Sequence, residues 1–221
     1  SSENPTLILP ESEDVTRALR NLDLKLVSNT HKIGLLYVGP GQTNEVNILR
    51  NTYGSVRYVE FVKSLGDMIW LGNCDQSTVY IGGLDTKGLD GDYTVSWRDK
   101  TSQVVFHVAT LMPQHDTDPT STNKKRHIGN NFVTIVYNDS GQPYLQGTIK
   151  GQCNICDIVI EPKPNNMNLV SMNSIKKTKL ADLKPHSALL ISDDPLGATV
   201  RHMAVNANGL CQVMMLSLIH I

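Results

Sequence analysis

The stretch that decides the fold class is Ile33-Gly-Leu-Leu-Tyr-Val-Gly-Pro-Gly-Gln-Thr-Asn-Glu45. Residues 33–38 form a continuous apolar run, which is typical of a strand buried on both faces. Gly39-Pro-Gly41 then breaks the run, and either Thr43 or Asn44 can cap a helix that has Glu45 in its first turn. A buried strand, a tight turn and a helix in succession predict an α/β fold.

The same alternation continues on both sides of this stretch. Helical spacing of apolar residues covers 12–26, 56–69 and 197–211, whereas strand-like runs cover 78–81, 93–97, 103–109, 132–137 and 148–160. Since strands mix with helices that can cover both faces of a sheet, the sequence predicts one domain with a mixed central β-sheet flanked by helices.

The amino-acid composition limits the classes of protein to which the chain can belong. The 221 residues are 40% apolar, and 20 Lys and Arg against 21 Asp and Glu give a net charge of −1, which excludes a disordered tail and a generic nucleic-acid binder. Apolar runs fall far short of the roughly 20 residues that span a bilayer, and residues 1–5 lack the apolar stretch of a signal peptide. We therefore expect a cytoplasmic protein without direct membrane insertion, with residues 1–11 as a flexible lead-in, 12–215 as the domain and 216–221 as an apolar tail that could be non-native.

The sequence motifs that could bind a small molecule or a metal ion are all incomplete. Gly39-Pro-Gly41 follows a strand, but the Gly and Lys positions of nucleotide-binding loops are missing, so an ordinary strand-to-helix turn is expected. Residues 85–92 resemble a calcium loop, yet ligand positions hold Lys87 and Leu89, which favours a hairpin turn. His115, Asp116 and Asp118 could ligate a metal, but their spacing is not diagnostic, and we expect no metal site.

The predicted core does not account for the polar stretch from Asp118 to Asn131. Asp118 followed by proline predicts a capped helix start. Three cations then stand near a helix end that Gly129 should stop. His127 and Asn130 are three residues apart, so the imidazole could hold the carboxamide in one rotamer. The simpler alternative is a basic helix end with a polar cap.

Several blocks resemble, in order, the Rap-type GTPase-activating domains of the tuberin kind. These blocks are His31-Lys-Ile-Gly34, Tyr37-Val-Gly39, Tyr80-Ile-Gly-Gly-Leu-Asp85, Phe106-His-Val-Ala-Thr-Leu-Met-Pro113, Lys124-Lys-Arg-His-Ile-Gly-Asn130, Ile135-Val-Tyr-Asn-Asp-Ser-Gly141 and Gly147-Thr-Ile-Lys-Gly-Gln152. The similarity extends from about Val15 to Ala207. It implies a single catalytic domain with a mixed central sheet.

The resemblance also implies site residues. Asn130 matches the family's catalytic asparagine thumb, and His127, Gly129 and Asn131 would support it. Asn131 departs from the family, which commonly has Asp after the thumb. Four cations would engage the partner or brace the site: Lys124, Lys125, Arg126 and Arg201.

The implied partner is a Rheb-like small GTPase that carries GTP and Mg²⁺, while this domain needs no cofactor of its own. A hamartin-like subunit would bind through the parent protein, and partners would recruit it to lysosomal or vacuolar membrane. Two alternatives stay open: a non-catalytic scaffold that binds a GTPase, and a metal-dependent hydrolase using His115, Asp116 and Asp118.

Overall fold

The computed structural model describes residues 12–13, 16–17, 29–174 and 188–219, with side chains up to residue 215. Within these residues a single sheet contains eight strands: β1 (Asn29–Val38), β2 (Asp67–Trp70), β3 (Tyr93–Arg98), β4 (Ser102–Val108), β5 (Val133–Asn138), β6 (Cys156–Lys163), β7 (Met167–Ser174) and β8 (Leu189–Ser192). The order across the sheet is β2-β3-β4-β1-β5-β6-β7-β8. The central four strands β4, β1, β5 and β6 run parallel, and the outer strands are antiparallel, so the predicted mixed sheet is confirmed.

Four α-helices of the described chain cover the sheet in two layers. They are α1 (Glu45–Leu49), α2 (Val56–Ser64), α3 (Thr122–Ile128) and α4 (Asp193–Ile219). Helices α2 and α4 pack on the β1 face that carries Ile33 and Leu35. Helices α1 and α3 pack on the opposite face, against Leu36 and Val38. This alternation along β1 explains why the run 33–38 is apolar throughout.

For two of these helices, the sequence signals agree with the structure. Asn44 caps α1, because its side chain accepts the backbone N–H of Asn47 at 3.0 Å. Helix α4 includes the predicted segment 197–211, and the apolar residues Val200 and Ala204 are fully buried. None of the described helices has the length and apolarity that crossing a bilayer requires.

Other local predictions were wrong. Helix α2 ends at Ser64 rather than at residue 69, because Gly66 lies against the Ser96 carbonyl, where no side chain fits, and residues 67–70 then join the sheet as β2. Residues 78–81 form no strand, since the Asp75 carbonyl accepts the backbone N–H groups of Thr78 and Val79 and the Tyr80 N–H donates to the Gln103 side chain. Strand β6 begins only at Cys156.

Some predictions fall outside the described residues. They concern the lead-in 1–11 and most of the helix expected over 12–26. In the apolar tail, the backbone of residues 216–219 continues α4, and residues 220–221 lie outside the described chain.

Candidate functional site

The candidate site is the C-terminal end of α3, on the sheet face that α1 also covers. Helix α3 begins at Thr122, three residues later than predicted, because Ser121 adopts a left-handed φ of 55° and its hydroxyl donates to Gln114 Oε1. Asp118 still caps the helix from a distance. Its carboxylate accepts the backbone N–H groups of Thr122 and Asn123 at 2.9 and 2.8 Å.

Asn130 lies just beyond the helix end, where the chain turns towards β5. Gly129 is the helix C-cap, as predicted, and the Asn130 backbone N–H donates to the His127 carbonyl at 3.3 Å. The Asn130 side chain is exposed and has no hydrogen-bond partner in the described part of the chain. Its carboxamide is therefore free to bind a group from outside the domain.

The base of this turn is fixed by a close backbone crossing between Gly129 and Gly151. A Cβ atom on Gly151 would lie 2.5 Å from the Gly129 carbonyl oxygen and 2.6 Å from its Cα. The Cys153 backbone N–H also donates to that carbonyl at 3.2 Å. Only a residue without a side chain permits this approach, so residues 150–153 hold the turn that carries Asn130.

His127 is buried and does not contact the Asn130 side chain, contrary to the expectation from their spacing. Its Nε2 lies 2.8 Å from Asp90 Oδ2. Because an ionised carboxylate only accepts hydrogen bonds, Nε2 carries the proton and donates it. Burial lowers the pKa of His127, although Asp90 acts in the opposite direction, and the ring is neutral near pH 7.

Asp90 comes from the loop that was predicted to be a hairpin turn. That loop instead packs against α3, and the Asp90 carboxylate is 0% exposed. It accepts the Asp85 backbone N–H at 2.7 Å and the Asn123 side-chain amide at 2.9 Å, besides His127. Burial acts to raise the pKa of Asp90, but these hydrogen bonds outweigh it, so the pKa lies below its usual value.

Asn131 and His107 lie beneath the turn, and both are buried. The Asn131 Nδ2 atom donates to the His127 carbonyl at 2.8 Å and lies 3.2 Å from His107 Nδ1. The space for Asn131 comes from Gly34, whose Cβ would lie 3.2 Å from that nitrogen. Burial, followed by the nearby His127, lowers the pKa of His107 to about 3, so its ring is neutral.

The three cations of α3 have different surroundings. Lys124 is 1% exposed, and its Nζ donates to the Asn51 carbonyl at 2.9 Å, so it does not lie on the surface predicted to meet a partner. Lys125 is half-buried and paired with Glu45 at 2.9 Å. The Arg126 side chain is 54% exposed and stands four residues before the exposed Asn130; its Nη2 lies 3.5 Å from Asp90 Oδ1 and 3.1 Å from His127 Nε2.

Arg201 lies on α4, in the layer on the other face of the sheet from α3. Its guanidinium donates to the Leu65 carbonyl at 2.8 Å and stacks 4.5 Å above the Trp97 ring. These contacts do not connect Arg201 with the end of α3, and its contact with a partner stays a prediction. Arg201 caps the end of α2.

The alternative chemistries receive no geometric support. Within the described residues, no three His, Cys, Asp or Glu side chains gather as a metal ion would require. Asp118 caps α3, while His115 Nε2 faces the Leu89 carbonyl at 3.3 Å. In the turn after β1, the Gly39 N–H donates to Gln42 Oε1 at 2.8 Å, so that amide is already occupied within the turn.

Comparison with known proteins decides the family. The sequence profile described as Rap/ran-GAP matches residues 48–218. The chain belongs to the Rap/ran-GAP family. The solved structure of the TSC2 GAP domain matches this Rap/ran-GAP domain with a TM-score of 0.78 at 38% identity, over 85% of this chain and 99% of that one. The resemblance and the fold class drawn from the sequence are confirmed.

Two curated relatives give the scale of the similarity. The chain is 39% identical over 215 residues to the Tuberous sclerosis 2 protein homolog of Schizosaccharomyces pombe, a match that covers 92% of this chain and 16% of that protein. It is 36% identical over 202 residues to human Ral GTPase-activating protein subunit alpha-1, which covers 91% of this chain and 10% of that protein. This Rap/ran-GAP domain thus spans a small part of the relatives it matches.

Sequence reasoning missed several groups that hold the site. Asp90 and Glu45 are distant from α3 in sequence and contact it only in the folded chain, and His107 likewise contacts Asn131 just after the helix. Gly151 could have been found, because it lies inside a block that resembles the family and a glycine without a turn signal suggests a close backbone approach.

Proposed function

We propose that this Rap/ran-GAP domain is a GTPase activator that stimulates GTP hydrolysis by a Rheb-like small GTPase, with Asn130 as an asparagine thumb. The observation that carries the proposal is the state of Asn130, whose carboxamide is exposed, has no partner in the described chain and projects from a rigidly held turn. The family assignment and the names of the two relatives support the same activity.

A carboxamide suits the chemistry of GTP hydrolysis. The reaction needs a water molecule aligned with the γ-phosphate, a task that small GTPases often assign to a glutamine. The Asn130 side chain can accept a hydrogen bond from that water and donate one to a phosphate oxygen. It need not take a proton, because positioning and electrostatic stabilisation carry most of this reaction.

The remaining groups of the site have supporting roles in this mechanism. His127 is buried and donates to Asp90, so it orients the helix and does not act as a base on the water. Arg126 is the α3 cation that offers most of its side chain to an acidic surface on the GTPase. The partner supplies GTP and Mg²⁺, and this domain supplies no arginine finger in the proposal.

Partners of the longer protein belong to the proposal as well. Because the chain corresponds to 16% of its Schizosaccharomyces pombe relative, a hamartin-like subunit and recruitment from the cytoplasm to lysosomal or vacuolar membrane would involve segments outside this domain. The relatives are named for two different systems, TSC2 and Ral, so the choice of GTPase is the part to test first.

The test is single-turnover GTP hydrolysis by purified Rheb-, Ral- and Rap-type GTPases with increasing amounts of the domain. We expect strong stimulation of the Rheb-type protein, and Asn130→Ala should reduce it by roughly 10²–10³-fold, the usual loss when one transition-state hydrogen-bonding group is removed. Asn47→Ala, an exposed carboxamide on α1, is the matched control and should retain full activity.

Two outcomes would contradict the proposal. Retained stimulation by Asn130→Ala would exclude the thumb role. Binding of GTP-loaded GTPase without faster hydrolysis would favour the alternative of a non-catalytic scaffold.

A further inference from the structure

Asp90 is a buried group that no chemical step of the proposed mechanism uses, yet it holds α3 at two points. Its Oδ1 accepts from Asn123 Nδ2 at 2.9 Å, and its Oδ2 accepts from His127 Nε2 at 2.8 Å. Residues 123 and 127 are four apart and therefore share one face of the helix. One carboxylate thus fixes the start and the end of the helix that precedes Asn130.

The loop that carries Asp90 is itself well fixed. The Asp85 carboxylate accepts the backbone N–H groups of Lys87 and Leu89 at 2.7 and 3.0 Å. Gly91 has a φ of 99°, and a Cβ there would lie 2.5 Å from the Leu111 carbonyl oxygen. Asp90 is therefore presented to α3 from a stiff support.

The effect of Asp90 extends to the thumb through His127. The His127 carbonyl accepts both the Asn130 backbone N–H at 3.3 Å and the Asn131 side-chain amide at 2.8 Å. Any rotation of His127 moves the acceptor on which the turn depends. Since the Asp90 side chain is 0% exposed, it can affect a partner only through the residues that it contacts, which also include Arg126 at 3.5 Å from its Oδ1.

We propose that Asp90 is a positioning residue that sets the orientation of Asn130 by holding Asn123 and His127, without touching the GTPase. This inference rests on the proposed function. The charge of Asp90 matters because a single carboxylate accepts from three donors at once, whereas an asparagine of the same size has only one acceptor oxygen. Hydrogen bonds to a charged acceptor are also stronger than neutral ones.

The test compares Asp90→Asn with wild type in the single-turnover assay on the stimulated GTPase. We expect the maximal rate to fall about 10- to 100-fold, as small misplacements of a catalytic group do. The domain concentration at half-maximal rate should change less than about threefold, because Asp90 does not reach the surface and Arg126, which lies 3.5 Å from it, keeps its own charge and exposure. The matched control is Asp92→Asn, an exposed carboxylate two residues along the same segment, which should keep the wild-type maximal rate.

A spectroscopic measurement separates positioning from general destabilisation. In ¹⁵N spectra of the wild-type protein we expect His127 to be the Nε2–H tautomer, and Asp90→Asn should convert it into a mixture of tautomers. Asn123→Ala, which removes one of the two contacts, should lower the maximal rate less and in the same direction. This second variant tests the inference if Asp90→Asn does not fold.

The outcomes separate this inference from the proposed function. An inactive wild-type domain, or an active Asn130→Ala variant, would overturn the proposed function and with it the role of Asp90. An active wild type and an inactive Asn130→Ala, together with Asp90→Asn and Asn123→Ala at the wild-type maximal rate, would overturn this inference alone.

Discussion

At the buried position of Asn131, one side-chain atom decides whether an amide or a carboxylate fits. The Asn131 Nδ2 donates to the His127 carbonyl at 2.8 Å, so the orientation of the amide is set by that acceptor. A carboxylate in the same place would put an oxygen against the carbonyl oxygen, and it would need a proton from the neighbouring His107. Asn131 and a neutral His107 therefore form a compatible pair in this chain, and Asn131 is bonded to the turn through the His127 carbonyl.

A second buried group at the residue scale is Asp157 on β6. Burial raises its pKa to about 6, and the hydrogen bond from Asn154 only partly compensates. Its register places it beside Thr134, and Thr134 pairs with Gly34, so it belongs to the polar row beneath the α3 end. Among the described residues no donor reaches Asp157 Oδ2.

We predict that Asp157→Asn stabilises the domain at pH 8 by up to about 3 kcal/mol, the equivalent of a shift from the usual pKa of an aspartate to about 6. A carboxyl whose folded pKa is raised stabilises the fold below about pH 4, and that contribution is lost as the pH rises through 6. The gain from the variant should therefore disappear towards pH 4. Urea unfolding of both proteins from pH 4 to 8 measures it, and a gap independent of pH would contradict the assignment.

At the scale of the element, α3 owes its position to groups outside itself. It has seven residues, and isolated helices of that length are not stable in water. Asp118 caps its first turn, Asp90 holds its face, Glu45 pairs with Lys125, and Gly151 crosses its end. A change in any of these should alter the orientation of Asn130 without changing the residue itself.

Gly151→Ala tests the crossing at the end of α3. The added methyl group would meet backbone atoms of Gly129 at 2.5 Å, so the turn must move, and we expect a cost of about 1–3 kcal/mol in stability. The maximal rate of stimulated hydrolysis should fall as well. Gly209→Ala on α4 is the control, because nothing lies within 4 Å of its Cβ, and helix propensity predicts a gain of up to about 1 kcal/mol.

The cations of α3 allow a paired test of the partner surface. Arg126→Gln should weaken GTPase binding, most clearly at low salt, because it removes a charge that is 54% exposed without placing a second carboxylate near Asp90, which lies 3.5 Å from Arg126. Lys124→Met should leave the affinity unchanged, since the Lys124 ammonium is buried against the Asn51 carbonyl. Binding titrations at two salt concentrations compare the variants, and equal losses for both would place the interface elsewhere.

The elements also show what a sequence can and cannot predict. Gly129 was identified correctly as a helix boundary, and Asn44 was one of the two residues named as the possible cap of α1, because caps depend on neighbouring residues. The burial of Lys124 was missed, because its acceptor lies 73 residues away. The contact between Asp90 and Asn123 likewise joins segments 33 residues apart, so local spacing carried no information about it. The thumb itself was predicted only through the family resemblance.

Across the whole molecule, the two faces of the sheet carry different parts of the protein. The face under α2 and α4 carries the larger apolar core, which includes Phe61, Phe106 and Leu196. The face under α1 and α3 carries the candidate site and its buried polar groups. The parallel strands β1, β4 and β5 are shared by both layers, and their side chains alternate between them.

Gly197→Ala tests the separation of the two layers. A methyl group on Gly197 would overlap the Ser64 side chain and lie 2.7 Å from its carbonyl oxygen, which pushes α4 away from α2. We expect about 1–3 kcal/mol of lost stability. At a temperature where the variant is folded, the maximal rate of stimulated hydrolysis should equal that of wild type. A large loss of rate in a fully folded variant would show that the layers are coupled.

The two-layer arrangement has a consequence for variation in living cells. Substitutions in the α2 and α4 layer should reduce the amount of protein, because partly unfolded molecules are degraded, and lower growth temperature should restore them. Substitutions of exposed residues at the end of α3, such as Asn130, should leave normal amounts of an inert protein that no temperature restores. Abundance and activity, measured together in cell extracts, would therefore assign a newly observed variant to one side of the sheet.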